Sequence, residues 1–259
     1  MWRAALLVVA ASGCDALWRI DTIALPPPDA SLDAAADATI HDEPTPFAHY
    51  TMDSLATQPT IPDSIGGHDA MCGPNCPTLV TGRIDHALDF NGTTTDQYLA
   101  IAATGPFATQ GPFSISGWVA LDSLSAEACL WDKPYGSVAG DSWQVCIHAN
   151  GAVDFSTYGA SGLEPLQTAT GLAVAKQGFH DVVVVFDGTS KQIFWDGASV
   201  AGPLAADVPL LDSSNVLIGS NLNAALGTTT APTIGALDDV QFFSYPLAPS
   251  EIATLASGN

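Results

Sequence analysis

Basic residues are almost missing from this chain: six Lys and Arg stand against 27 Asp and Glu in 259 residues, a formal charge of −21 at neutral pH. A field of that sign repels polyanions, and no Lys/Arg cluster interleaved with aromatics occurs anywhere, so nucleic acid and anionic membrane surfaces are excluded as partners. Glutamate is scarce as well. Glu43, Glu127, Glu164 and Glu251 are the only four, and none is near another. Asp238 and Asp239 are adjacent, but neighbouring residues of a strand point to opposite faces and cannot work as a pair. Serine nucleophile elbows, phosphate-cradling glycine loops and His-Glu-x-x-His helices are all absent, so no catalytic residues are assigned. No repeat of about 20 to 50 residues is present, which disfavours a propeller or solenoid.

Long apolar runs are lacking too. Ala4 to Gly13, behind the single charge of Arg3, is too short to span about 30 Å of hydrocarbon and has the size of a secretion signal. Ala11-Ser12-Gly13-Cys14 resembles a bacterial lipobox, with Ala11 where Leu is usual. Residues 1–14 are therefore expected to be a lipoprotein-type signal ending at a lipidated Cys14; the alternative is an ordinary cleaved signal in which Cys14 is incidental. The stretch from Leu25 to Asp37 is rich in Asp, Ala and Pro and poor in large apolar residues, so 15–47 is expected to be an extended tether. These features imply a secreted protein of the bacterial envelope that meets the membrane only through its lipid anchor.

With Cys14 assigned to lipid, four of the five cysteines remain, an even number suited to two disulfides in an oxidising compartment. Cys129 and Cys146 lie symmetrically about a hairpin centred near Ser137 and should face each other across neighbouring strands. Cys72 and Cys76 would close a small loop. A zinc reading of that pair fails because no second Cys or His pair at ligand spacing accompanies it.

Apolar and β-branched residues dominate what is present, at 47% hydrophobic content with 23 glycines. Phe179 to Phe186 is a nearly unbroken apolar run, a strand buried on both faces. Asp187-Gly188 and Asp196-Gly197 bracket a second strand, Lys191 to Trp195, and supply the left-handed backbone that tight reversals need. Phe113 to Leu121, Trp143 to Ile147, Val216 to Ile218 and Leu237 to Tyr245 are further strand-like segments. Residues 48–259 are thus expected to form a single all-β domain.

The ordered pieces Tyr50-Thr51-Met52-Asp53, Gly82 to Gly92, Phe113 to Val119, Phe179-His180-Asp181-Val182, Asp196-Gly197, Leu217-Ile218-Gly219 and Gly235 to Val240 resemble the laminin-G-like branch of the concanavalin A-like lectin/glucanase fold. Tyr245 to Ile252 is similar to that family's ending, a last strand running into one short helix. The resemblance implies an antiparallel jelly-roll β-sandwich with one C-terminal helix. The glucanase branch carries its catalytic carboxylates as Glu-x-Asp-x-x-Glu, which this chain lacks. The resemblance also implies a structural calcium held by Asp53 and Asp239 with help from Asn91; the alternative is that these aspartates cap turns. His180 is expected to be a structural, hydrogen-bonded histidine, and Trp118 and Trp195 to be packed inside strands. Trp131 and Trp143, on the crosslinked hairpin with Tyr135 at its tip, are the aromatics expected to meet ligand. Two readings compete, a surface-anchored, non-catalytic carbohydrate-binding module and an adhesion or structural domain contacting a surface protein, with a glycoside hydrolase as the lesser alternative.

Overall fold

A computed structural model describes residues 43–55, 59–92, 97–136, 141–223 and 228–258. Cys14, the expected signal 1–14 and most of the expected tether 15–47 lie outside the described residues. The elements in chain order are β1 (Ala48–Tyr50), β2 (Thr60–Ile61), β3 (Ala70–Cys72), β4 (Thr78–Thr81), β5 (His86–Asn91), β6 (Leu99–Ile101), β7 (Phe113–Leu121), β8 (Ala128–Pro134) and β9 (Asp141–Ile147). They continue as β10 (Val153–Gly159), β11 (Gly162–Gln167), β12 (His180–Phe186), β13 (Ser190–Trp195), β14 (Ala198–Ala205), β15 (Val216–Ile218), β16 (Asn221–Asn223), β17 (Thr228–Thr230), β18 (Ile234–Phe243) and the helix α1 (Pro249–Ser257). Among the described residues no helix is long and apolar enough to cross a membrane.

Two eight-stranded antiparallel sheets form the sandwich. The first runs β14-β13-β12-β7-β18-β5-β4, with β1 also on β18; the second runs β11-β10-β9-β8-β15-β6-β3-β2. The chain is an antiparallel jelly-roll sandwich closed by one C-terminal helix, as the sequence implied. β12 shows why its apolar run is unbroken. Val182, Val184 and Phe186 face the main core between the sheets, while Val183 and Val185 face a smaller core with Phe194, Phe243, Leu247 and Ile252 beneath α1. Both reversals fall on Asp-Gly: Gly188 and Gly197 have φ of 98° and 76°, and Asp196 has φ of 49°, a region that Gly and Asp enter at little cost.

Helix α1 begins where Glu251 Oε2 accepts the Ala248 N–H at 2.6 Å and its Oε1 accepts the Tyr245 hydroxyl at 3.1 Å. It ends on Gly258 in the left-handed conformation, which satisfies a last-turn carbonyl. A bulge in β18 lets β5 pair with its first half and β1 with its second.

Candidate polar face and apolar cavity

Cys129 and Cys146 are direct register partners on β8 and β9 and are bonded to each other, and Cys72 is bonded to Cys76. The first bond marks the outer face of the second sheet. Alternation from Cys146 sends Gln144 outward and Val145 and Trp143 inward. On β8 the register shifts between Cys129 and Trp131, so Leu130 and Trp131 both turn into the core and Asp132 turns out. A second shift, between Lys133 and Pro134, brings Asp141 opposite Pro134 and sets it beside Asp132.

The expectation that Trp131 and Trp143 are exposed is corrected accordingly: they are 1% and 6% exposed. Trp131 is core. Trp143 lines an apolar cavity of about 460 Å³ between the sheets, shared with Phe47, Phe107, Phe113 and Phe242. Tyr135 is half-buried and stacks on Tyr158 of β10, centroids 6.0 Å apart and planes 27° apart.

The outer face beside that pair is polar. Asn221 of β16 donates through Nδ2 to Asp141 Oδ2 at 2.8 Å and to Gln144 Oε1 at 3.0 Å, and Leu222 N–H donates to Asp132 Oδ2 at 2.9 Å. Asp132 is fully buried, and its Oδ1 has no donor group of its own. The carboxyls of Asp132 and Asp141 are neighbours on this face. Burial first, then the neighbouring charge, holds Asp132 well above the usual carboxylate range, and burial pushes Asp141 up to about 6. Ser156 pairs with Gln144 across β9 and β10, and Tyr158, two residues on, shares its face. Amide and carboxyl groups therefore lie next to a flat aromatic surface. Polar groups of this kind can hydrogen-bond hydroxyls, and aromatic faces can stack on apolar rings.

The residues expected to hold calcium each have protein partners or positions of their own. Asp53 Oδ1 accepts the His86 N–H at 3.0 Å at the start of β5, whereas Asn91 stands at the other end of that strand. Asp239 engages the His49 ring and accepts Gln241 Nε2 at 2.8 Å. Among the described residues no three His, Cys, Asp or Glu come together as a metal group. His180 is structural: Nδ1 meets Asp196 Oδ2 at 2.8 Å and its ring stacks on Trp195. Trp118 and Trp195 are packed.

A family model described as the concanavalin A-like lectin/glucanases superfamily matches residues 91–253. The chain belongs to this superfamily. No curated protein matches it. Among solved structures, domain 4 of an extracellular arabinanase from Geobacillus stearothermophilus, in complex with arabinotriose, is similar at TM-score 0.62 and 18% identity, over 83% of this chain and 100% of that one. The binding domain of a paraclostridial mosquitocidal protein is similar at TM-score 0.63 and 11% identity, over 81% of this chain and 51% of that one. The sialidase of Trypanosoma rangeli, in complex with the inhibitor DANA, is similar at TM-score 0.58 and 20% identity, over 82% of this chain and 33% of that one. This chain thus spans about half of the mosquitocidal domain and a third of the sialidase. At such identities the likeness is one of fold. Within this lectin/glucanase sandwich, Asp132, Asp141, Gln144, Tyr158 and Asn221 are candidate-site residues that sequence reasoning missed. Gln144 and, across the unbroken β9–β10 register, Tyr158 follow from parity with Cys146, whereas Asp132, Asp141 and Asn221 arrive through two bulges and a distant hairpin.

Proposed function

We propose that this domain is a non-catalytic carbohydrate-binding module that takes uncharged glycans on the outer face of its second sheet. The observation that carries the reading is the array of Asp141, Gln144 and Asn221 beside the stacked Tyr135 and Tyr158. Sugar hydroxyls would meet the amides and carboxyls, and a ring face would lie on the tyrosines.

Charge supports an uncharged ligand. Among the described residues the Lys and Arg are Arg83, Lys133, Lys176 and Lys191. Lys133 and Lys191 are fully buried; Lys133 Nζ donates to the carbonyls of Asp212 and Ser214, and Lys191 Nζ to Thr157 Oγ1 and the Glu164 carbonyl. Arg83 lies over the Trp118 ring at 4.8 Å. Little positive charge is left to meet an acidic sugar.

The acid pair favours binding over hydrolysis. Retaining glycosidases keep their carboxyls about 5 to 5.5 Å apart, flanking the sugar bond. Here the two are neighbours and Asp132 is fully buried, out of reach of a sugar bond. Glu127 is paired with His148, Glu164 accepts the Asp207 N–H and Glu251 caps α1.

Retention on insoluble polysaccharides, arabinan included, tests the reading together with a reducing-sugar assay. At least one neutral polysaccharide should retain the protein without releasing sugar. Tyr135→Ala and Gln144→Ala should each weaken retention roughly tenfold, about 1.4 kcal/mol, with unfolding unchanged. Hydrolysis abolished by Asp141→Asn would overturn the non-catalytic reading. Saturable binding to a protein, with no glycan retained, would move the assignment to an adhesion domain.

A further inference from the structure

We infer that the apolar cavity between the sheets is a second binding site, separate from the polar face and selective for an uncharged, ring-bearing molecule. None of the 16 described residues that line it is ionisable, although acidic residues abound elsewhere in the chain. An ionised ligand would lose hydration there and find no counter-charge.

A sugar is a poor occupant as well, because the lining is mostly apolar and the Ser114 and Thr109 hydroxyls and the Gln110 amide nitrogen already have partners. Ser114 Oγ donates to the Tyr245 carbonyl at 3.0 Å and accepts the Leu247 N–H at 2.9 Å. Thr109 Oγ1 donates to the Gly105 carbonyl at 2.9 Å, and Gln110 Nε2 to the Pro209 carbonyl at 2.8 Å. Aromatic faces and edges remain. Phe107 meets Phe47 and Phe242 edge-to-face, with centroids 4.8 Å and 5.0 Å apart, and Phe113 with Trp143 makes a tilted pair at 5.6 Å.

Size and rigidity set the class of ligand. An apolar cavity of about 150 Å³ takes one benzene ring. A volume of about 460 Å³ therefore accommodates roughly three rings, fused or linked. Pro106, Pro112 and Pro209 are among the lining residues, and their fixed φ limits the ordering that binding requires.

Titration of the full chain with N-phenyl-naphthylamine, an uncharged apolar fluorophore, tests the site. Fluorescence should rise saturably with one probe per chain. Thr109 is exposed and Leu211 half-buried at the lining; Thr109→Trp and Leu211→Phe should each weaken binding at least about tenfold without changing the melting temperature. The anionic analogue anilinonaphthalene sulfonate should bind at least about tenfold more weakly than the uncharged probe. Absence of saturable binding, several equivalents per chain, or affinity unchanged in both folded variants would overturn the site. Equal affinity for the anionic analogue would overturn its selectivity. Both variants should keep wild-type glycan retention, so failure here leaves the glycan reading standing, and loss of glycan retention in Tyr135→Ala leaves this one standing.

Discussion

Replacing Asp181 with asparagine should remove a penalty that the folded domain carries at neutral pH. Asp181 has no exposed surface; its Oδ1 meets the Ser116 hydroxyl at 3.4 Å and its Oδ2 has no partner among the described residues. Burial, with the nearby charges of Asp196 and Asp239 opposing the Ser116 hydrogen bond, pushes its pKa up to about 7. An unfolded aspartate titrates near 3.9, so the folded state keeps a proton that the unfolded chain releases between about pH 4 and 7. Stability therefore falls as pH rises across that window, by up to about 4 kcal/mol for roughly three units at about 1.4 kcal/mol each. Asparagine cannot ionise, so Asp181→Asn should come within about 1 kcal/mol of the wild type near pH 4.5 and exceed it by about 2 to 4 kcal/mol near pH 8. Urea unfolding with disulfides intact, at several pH values between these limits, measures the difference. Asp132, Asp141 and Asp238 also have raised pKa values, but they are present in both proteins and cancel in the comparison. Parallel stability profiles for the two proteins would refute an ionisation penalty at Asp181.

Replacing Cys129 and Cys146 together by alanine should cost on the order of 3 kcal/mol, the chain-entropy value for so short a loop, since the two are 17 residues apart; urea unfolding of the oxidised parent and the variant reads the loss. Metabolic labelling with a fatty-acid analogue should mark the full chain, and Cys14→Ser should abolish the label and release soluble protein. An unlabelled wild type whose mature N-terminus lies elsewhere would remove the lipid-anchor expectation.

Elements whose residues report one environment were legible before any coordinates. The run ending at Phe186 is apolar on every residue from Val182 because two cores claim its two faces, and the Asp-Gly pairs mark both ends of β13. The Cys129 to Cys146 bond followed from symmetry about a turn. Trp143 could have been placed correctly, since three residues from an outward Cys146 means inward. Trp131 could not: counting from Cys129 sends it outward, and only the extra residue at the bulge reverses it. The polar face was hidden for the same reason, with Asp141 turned out by a second shift and Asn221 delivered from a segment 77 residues beyond Gln144. Periodicity carries no sign of either.

The chain enters the sandwich through β1, which meets β18 at only three register positions, Ala48 to Phe242, His49 to Gln241 and Tyr50 to Val240. β18 itself is held along its length by β7. Tension arriving from the residues before Glu43 would therefore fall first on that three-residue clasp and on the hydrogen bonds that join His49 and Tyr50 to Asp63, Ser64 and His68, while the polar face belongs to the second sheet. Under load β1 would act as a fuse, peeling from the first sheet before force reaches β8, β9 or the residues gathered on their outer side.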